Sequence, residues 1–137
     1  MRLKVSNYVD KFIYKNKCFA YIIKKHSFKN KYNFITDQSE PFQLGFFKMN
    51  KGDVSKRHYH KMNKRVSKKT TELIYVIKGS IFIKFYNTSN KLLNYSKVNQ
   101  GGCILIFDQA HEITYGPKTE IFEVKTGPFS INEKKFI

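Results

Sequence analysis

Two consecutive strand-forming segments, joined by a tight turn, constrain the fold of this chain more than any other feature. Residues 72–77 read ELIYVI and residues 81–86 read IFIKFY, with Lys78-Gly79 between them. Successive side chains of a strand point to opposite faces of its sheet. Lys84 is therefore expected to face solvent, and Ile81, Ile83 and Phe85 to face a core. The pattern predicts a pair of strands with one buried face.

The rest of the chain favours strands as well. Ala, the best helix former, occurs only at Ala20 and Ala110, whereas Phe, Tyr and β-branched residues are abundant. The first dozen residues show no clear pattern and could form a helical turn. Short strands at regular spacing are typical of an all-β sandwich or barrel, and 137 residues suffice for one domain, 1–137. Further strands are predicted at 19–23, 28–35, 42–49, 92–98, 103–107 and 121–125.

Cellular location is indicated by what the sequence lacks. No apolar run approaches the roughly 20 residues that a membrane-spanning helix needs, and residues 1–5 (MRLKV) do not resemble a signal peptide. Cys18 and Cys103 are far apart in the sequence, which favours two reduced thiols over a disulfide. We therefore expect a cytoplasmic protein.

The formal net charge of +16 raises the question of a polyanionic partner. Nucleic acid is not the favoured partner, because the cations are nearly all Lys and phosphate or base recognition tends to use Arg. The one local concentration runs from Lys56 to Lys69 without an acidic residue and surrounds a pair of histidines. It is compatible with a small anionic ligand and equally with a solvated loop.

Histidines and one glutamate form the clearest candidate site. His58 and His60 would converge on one point if Tyr59 lay between them in a strand. Together with Glu72 and His111 they make a donor set suited to one divalent transition metal, such as Fe, Mn, Ni or Zn, with open coordination positions.

These residues follow one another as in a cupin, which the chain resembles. The first cupin motif corresponds to Gly52, His58, His60, Glu72 and Gly79. The second corresponds to Gly101-Gly102, the apolar residues 103–107, and His111. The resemblance implies a single-domain cupin β-barrel, that is, a double-stranded β-helix or jelly roll, and it implies that the three histidines and Glu72 bind the metal.

More narrowly, residues 42–130 resemble small single-domain cupins that are often associated with cell-surface polysaccharide or sugar-nucleotide genes. The likeness runs from residues 42–45 (FQLG) to residues 123–129 (EVKTGPF) and includes Arg65 in a long spacer between His60 and Glu72. The chain differs from that group at Gly102, where Asp is usual, and at residues 109–110 (QA), where glycines are usual. Neither difference removes a ligand.

Four other residues are weaker candidates for binding a substrate. Arg65 could hold an anion or be a solvated charge, and Gln43 lies on a strand predicted to lead toward the site. Tyr115 could line the mouth of a pocket or only pack. Glu123 shares a strand face with Lys125, and an ion pair on the outside of the sheet is favoured over a catalytic couple.

The resemblance implies a metal-dependent protein acting on a small polar, carbohydrate-derived, anionic ligand, for example in isomerisation or epimerisation. An Fe(II)-dependent dioxygenase and a non-catalytic sugar- or metal-binding cupin are alternatives. Because cupin barrels readily bury apolar sheet faces against a second subunit, a homodimer is expected. No residue stands out as a general base.

Overall fold

The computed structural model describes residues 1–64, 67–128 and 134–137, which form eleven strands and no helix. The all-β prediction is thereby confirmed. Within those ranges no helix is long and apolar enough to cross a membrane. The strands are β1 (Arg2–Lys4), β2 (Val9–Tyr14), β3 (Lys17–Ile23), β4 (Tyr32–Phe34), β5 (Gly45–Phe47), β6 (Glu72–Lys78), β7 (Ser80–Tyr86), β8 (Leu92–Asn99), β9 (Cys103–Ile106), β10 (Ala110–Tyr115) and β11 (Glu120–Lys125).

The chain divides into two compact units. The main unit comprises residues 1–26 and 69–137, and the smaller unit comprises residues 27–68. The main unit has two antiparallel sheets, one ordered β1-β2-β3-β9-β6-β11 and the other β10-β7-β8. The smaller unit contains the hairpin β4-β5, in which Tyr32 lies opposite Phe47.

The core of the main unit contains side chains from both of its sheets. As the alternation predicted, Ile81, Ile83 and Phe85 of β7 are buried. Lys84 points the other way, and its ammonium group contacts the Glu112 carboxylate of β10. The remaining members of the core cluster are Phe12, Phe19, Ala20, Ile22, Ile74, Val76, Val98, Ile104 and Ile106. Burying this many large apolar side chains between two sheets is the main force that holds them together.

The N-terminal residues form strands rather than a helical turn. β1 and β2 pair antiparallel, and β2 pairs with β3. Asp10 of β2 is buried and forms ion pairs with Arg2 at 2.5 Å and Lys24 at 3.3 Å. This pairing, which local sequence does not reveal, fixes the residues that showed no clear pattern.

Strand ends also differ from expectation. The segments predicted at 28–35 and 42–49 shrink to three residues each in β4 and β5. β10, which carries His111, was not predicted. Most side chains of β10 remain at least partly exposed, so the strand lacks the apolar alternation that would have revealed it.

Candidate metal and anion site

Glu72 and His111 face each other from the two sheets of the main unit. Glu72 is the first residue of β6, and His111 is the second residue of β10. The Glu72 Oε2 and His111 Nε2 atoms are 3.1 Å apart, and both side chains are largely shielded from solvent. Two of the four residues expected to bind a metal are therefore brought together.

A sharp backbone turn orients the His111 ring. Gln109 has a φ of 77°, a left-handed conformation uncommon for a residue with a side chain. The His111 Nδ1 atom lies 3.3 Å from the carbonyl oxygen of Gln109. A proton on Nδ1 donated to that oxygen leaves Nε2 directed at Glu72, as in histidines that bind metals through Nε2.

The pair titrates as an ion pair. The hydrogen bond from His111 lowers the pKa of Glu72 below its ordinary value, against the opposing effect of burial. The same bond raises the pKa of His111, and burial and the charge of Lys134 oppose it. Without a metal, the imidazolium and carboxylate forms are thus both favoured.

A cavity of about 920 Å³ in the main unit opens beside this pair. This volume is within the range of small-molecule sites, roughly 300–1,000 Å³. Glu72 and His111 lie in its wall, and Tyr86 also lines it. The other charged residues that line it are Asp108, Glu112, Lys125, Lys134 and Lys135.

His58 and His60 lie in the smaller unit and are exposed. Their ring centroids are 5.3 Å apart at an interplanar angle of 81°. The expectation that Tyr59 lies in a strand is wrong, since the segment has no regular secondary structure. The two rings are nevertheless neighbours, and His58 Nδ1 lies 2.7 Å from the Lys56 carbonyl oxygen.

In neither unit, taken by itself, do three described His, Cys, Asp or Glu side chains form a group that could hold a metal. The main unit supplies Glu72 and His111, and the smaller unit supplies His58 and His60. The four-residue metal site remains a prediction.

Of the weaker candidates, Gln43 belongs to the smaller unit. The Gln43 side-chain amide donates to the carbonyl oxygens of Asp37 at 3.0 Å and Glu40 at 2.8 Å, and its Oε1 accepts from the Thr36 hydroxyl at 3.3 Å. These bonds tie together residues 36–43, which gives Gln43 a structural role. Arg65 lies outside the described residues.

The other two weaker candidates lie on β10 and β11. Tyr115 is 57% exposed and is the last residue of β10, about 13 Å from His111 along the strand at roughly 3.3 Å per residue. Glu123 pairs with the buried Ile74, and Lys125 pairs with Glu72. Both therefore lie on the face of β11 shared with Ile74, although Glu123 itself is exposed, and the expected ion pair between Glu123 and Lys125 stays a prediction.

Sequence reasoning missed the lysines at this cavity. Lys125 lies in β11, and Lys134 and Lys135 lie near the end of the chain. Lysine is too common here for any one of them to stand out. The period-two pattern of β11, which puts Lys125 on the face of Ile121, was the only available signal.

No protein-family model, curated protein or solved structure matches this chain.

Proposed function

We propose that this chain is a metal-binding small cupin that acts on a small, anionic, carbohydrate-derived ligand, as an isomerase or epimerase. Its ligands for one divalent transition metal are His58, His60, Glu72 and His111. The observation that carries the proposal is the Glu72–His111 pair, 3.1 Å apart in the wall of a 920 Å³ cavity.

The strand order of the main unit supports a jelly-roll fold for this proposal. β6, β9 and β11 belong to one sheet, and β7, β8 and β10 belong to the other. The chain thus crosses between sheets after β6, β8, β9 and β10. Repeated crossing between two antiparallel sheets is typical of jelly rolls, among which cupins are counted.

The donor atoms of the pair suit a metal ion. Adjacent ligands of an octahedral ion, each at about 2.1 Å, stand about 3.0 Å from one another. The 3.1 Å separation of Glu72 Oε2 and His111 Nε2 is close to this value. The Gln109 carbonyl oxygen would hold the proton on His111 Nδ1 and keep Nε2 available.

A bound metal would polarise a carbonyl or hydroxyl oxygen of the ligand, which is what isomerisation through an enediol requires. The chain's own residues supply the remaining functions. Tyr86 and Asn90, which line the same cavity, offer polar groups to ligand hydroxyls.

The proposal includes a homodimer. Tyr75 and Ile77 of β6 and Phe122 and Val124 of β11 are exposed apolar side chains, and Tyr75 lies directly opposite Phe122. An exposed apolar face of this kind is commonly a protein interface. Light scattering of the wild type and of Phe122→Glu tests it: a dimer that becomes a monomer is expected, and a monomeric wild type would reject it.

Elemental analysis of untagged protein tests the metal. About one equivalent of Fe, Mn, Ni or Zn per chain is expected. It should be lost in His58→Ala/His60→Ala and in His111→Ala. The matched control is His26→Ala, whose ring stacks on Tyr8. A metal-free wild type after reconstitution, or equal loss in the control, would sink the proposal.

Assays of oxygen consumption, ligand binding and turnover on the same protein preparation distinguish the alternative functions. Iron together with ligand-dependent oxygen consumption would indicate a dioxygenase. Ligand binding without turnover would indicate a binding protein. Conversion of an aldose to a ketose, or of one epimer to the other, without oxygen uptake is the result that the isomerase proposal expects.

A further inference from the structure

The acidic residues that line the cavity already have cationic partners. Asp108 pairs with Lys69, Glu112 contacts Lys84 at 3.4 Å, and Glu72 pairs with His111. Neither Lys69 nor Lys84 lines the cavity. The negative charge of these three carboxylates is therefore balanced by His111, which lines the cavity, and by Lys69 and Lys84, which do not line it.

Within the described ranges, two of the lysines that line the cavity lack the partners that these acidic residues have. Among the described residues, Lys134 and Lys135 have no carboxylate within ion-pair distance, and both are exposed. Lys125 extends from the inner face of β11 opposite Glu72, so it lies beside the proposed metal ligands. The cavity thus has an excess of positive charge, which a bound metal ion would increase.

We propose that Lys134 and Lys135, together with Lys125, bind a phosphoryl group of the ligand in this cavity. Each lysine ammonium group is a compact point charge, of the kind that binds phosphate in the P-loop, and two or three of them together match the charge of about −1.5 to −2 on a phosphate monoester. Three lysines and no arginine line the cavity among the described residues. These lysines, rather than the basic run 56–69, would hold the phosphoryl group in this cavity.

This inference rests on the proposed function, because it assigns the anionic part of the same ligand. A volume of 920 Å³ holds more than a phosphate ion. The carbon skeleton attached to the phosphoryl group would occupy the rest of the cavity, whose wall includes Glu72 and His111.

Calorimetric titration of the full chain in about 150 mM salt, an ionic strength that screens weak surface attraction, tests the assignment. The probes are inorganic phosphate, glucose 6-phosphate and glucose. The test variant is Lys134→Ala/Lys135→Ala. The control is Lys4→Ala/Lys97→Ala, which removes the same charge from exposed positions of β1 and β8 outside the cavity.

Phosphate and glucose 6-phosphate should bind the wild type, and the test variant should bind both at least tenfold more weakly. The control variant should change binding less than twofold. Lys134→Arg/Lys135→Arg should retain most of the affinity, which excludes a merely structural loss. Equal weakening in test and control variants, or no phosphate binding to the wild type at 10 mM, would overturn the inference.

Metal content measured on the same samples keeps the two proposals apart. Normal metal content with phosphate binding indifferent to Lys134 and Lys135 would sink only the phosphoryl assignment. Absence of metal with phosphate binding that depends on both lysines would sink only the metal-dependent function.

Discussion

Glu72 and His111 lie in different sheets, yet their Oε2 and Nε2 atoms are 3.1 Å apart. The contact exists because β6 and β10 face each other across the core of the main unit. It needs no metal to persist, since the pKa shifts of the two groups favour a carboxylate beside an imidazolium. The proposed metal would take the place of a proton in this pair.

The pair makes stability depend on pH in chelated protein. The Glu72 carboxylate adds to the free energy of unfolding above its ordinary pKa of 4.5. This contribution is lost as the pH falls through the lowered pKa of the folded state. The His111 imidazolium adds its full share to the free energy of unfolding below its ordinary pKa of 6.5. This contribution is lost as the pH rises through the raised pKa of the folded state. The pair therefore stabilises most between pH 4.5 and 6.5.

We expect Glu72→Gln to lower the free energy of unfolding by about 1–2 kcal/mol at pH 5.5, and by less at pH 8.5. Urea unfolding with a chelator measures both. Glu120→Gln is the control, because its exposed carboxylate lies 3.5 Å from Lys78 and should contribute little. An equal loss at both pH values would contradict the ion pair.

Asp10 should stabilise the main unit through its two cations. Burial opposes its ionisation, but hydrogen bonds and charges from Arg2 and Lys24 outweigh burial and lower its pKa. Its contribution is therefore present above the ordinary value of 3.8 and is lost as the pH falls through the folded value. Asp10→Asn should cost about 2 kcal/mol at pH 7 and far less at pH 2.5, as measured by urea unfolding. A cost that does not vary with pH would show that the charge is unimportant.

Gly79 should resist substitution more than Gly101 does. Both have a φ near +80°, so alanine is strained at either position. A Cβ at Gly79 would meet Thr119 Oγ1 at 2.8 Å and the Pro117 carbonyl oxygen at 3.0 Å, whereas at Gly101 it would meet only the flexible side chain of Lys25. Gly101→Ala should cost about 1 kcal/mol and Gly79→Ala at least about 1 kcal/mol more. Equal melting temperatures would contradict the steric difference.

Phe85 is the central ring of the core. It contacts Phe19 at a centroid distance of 5.1 Å and Phe12 at 5.7 Å, and all three are buried. Phe85→Ala should lower the free energy of unfolding by about 3–5 kcal/mol, because it leaves a large void. Phe82, on the other face of β7 and packed only against Tyr95 among the described rings, provides the control. Its replacement by alanine should cost clearly less in the same denaturation series.

The two cysteines should react with thiol reagents at very different rates. Neither forms a disulfide; Cys103 is buried, and Cys18 is only partly buried. Burial raises the pKa of the Cys103 thiol to about 12, so almost no thiolate is present at neutral pH. A chromogenic disulfide reagent should titrate one thiol in the native protein and two after unfolding. Rapid reaction of both thiols in the native wild type, or of Cys103 in native Cys18→Ser, would contradict this.

Local sequence was sufficient to predict a strand where the segment is buried on one face or on both. The alternation around Lys84 predicted which residues of β7 enter the core, and the continuous apolar run 103–107 predicted β9. Both predictions depend only on the period of a strand and on the exclusion of apolar side chains from water. The same reasoning failed at β10 and at the N-terminus, where partners distant in sequence stabilise strands that have little pattern of their own.

The sequence by itself determined that the chain is all-β, that its two cysteines are unsuited to a disulfide with each other, and which residue types could bind a metal. Only the tertiary structure determined that Glu72 meets His111, that Gln43 is used within its own loop, and that the cavity is lined by Lys125, Lys134 and Lys135. The physical reason is that side-chain chemistry and strand period are local properties. Contacts across a core depend on sheet pairing, which brings together atoms that no local pattern relates.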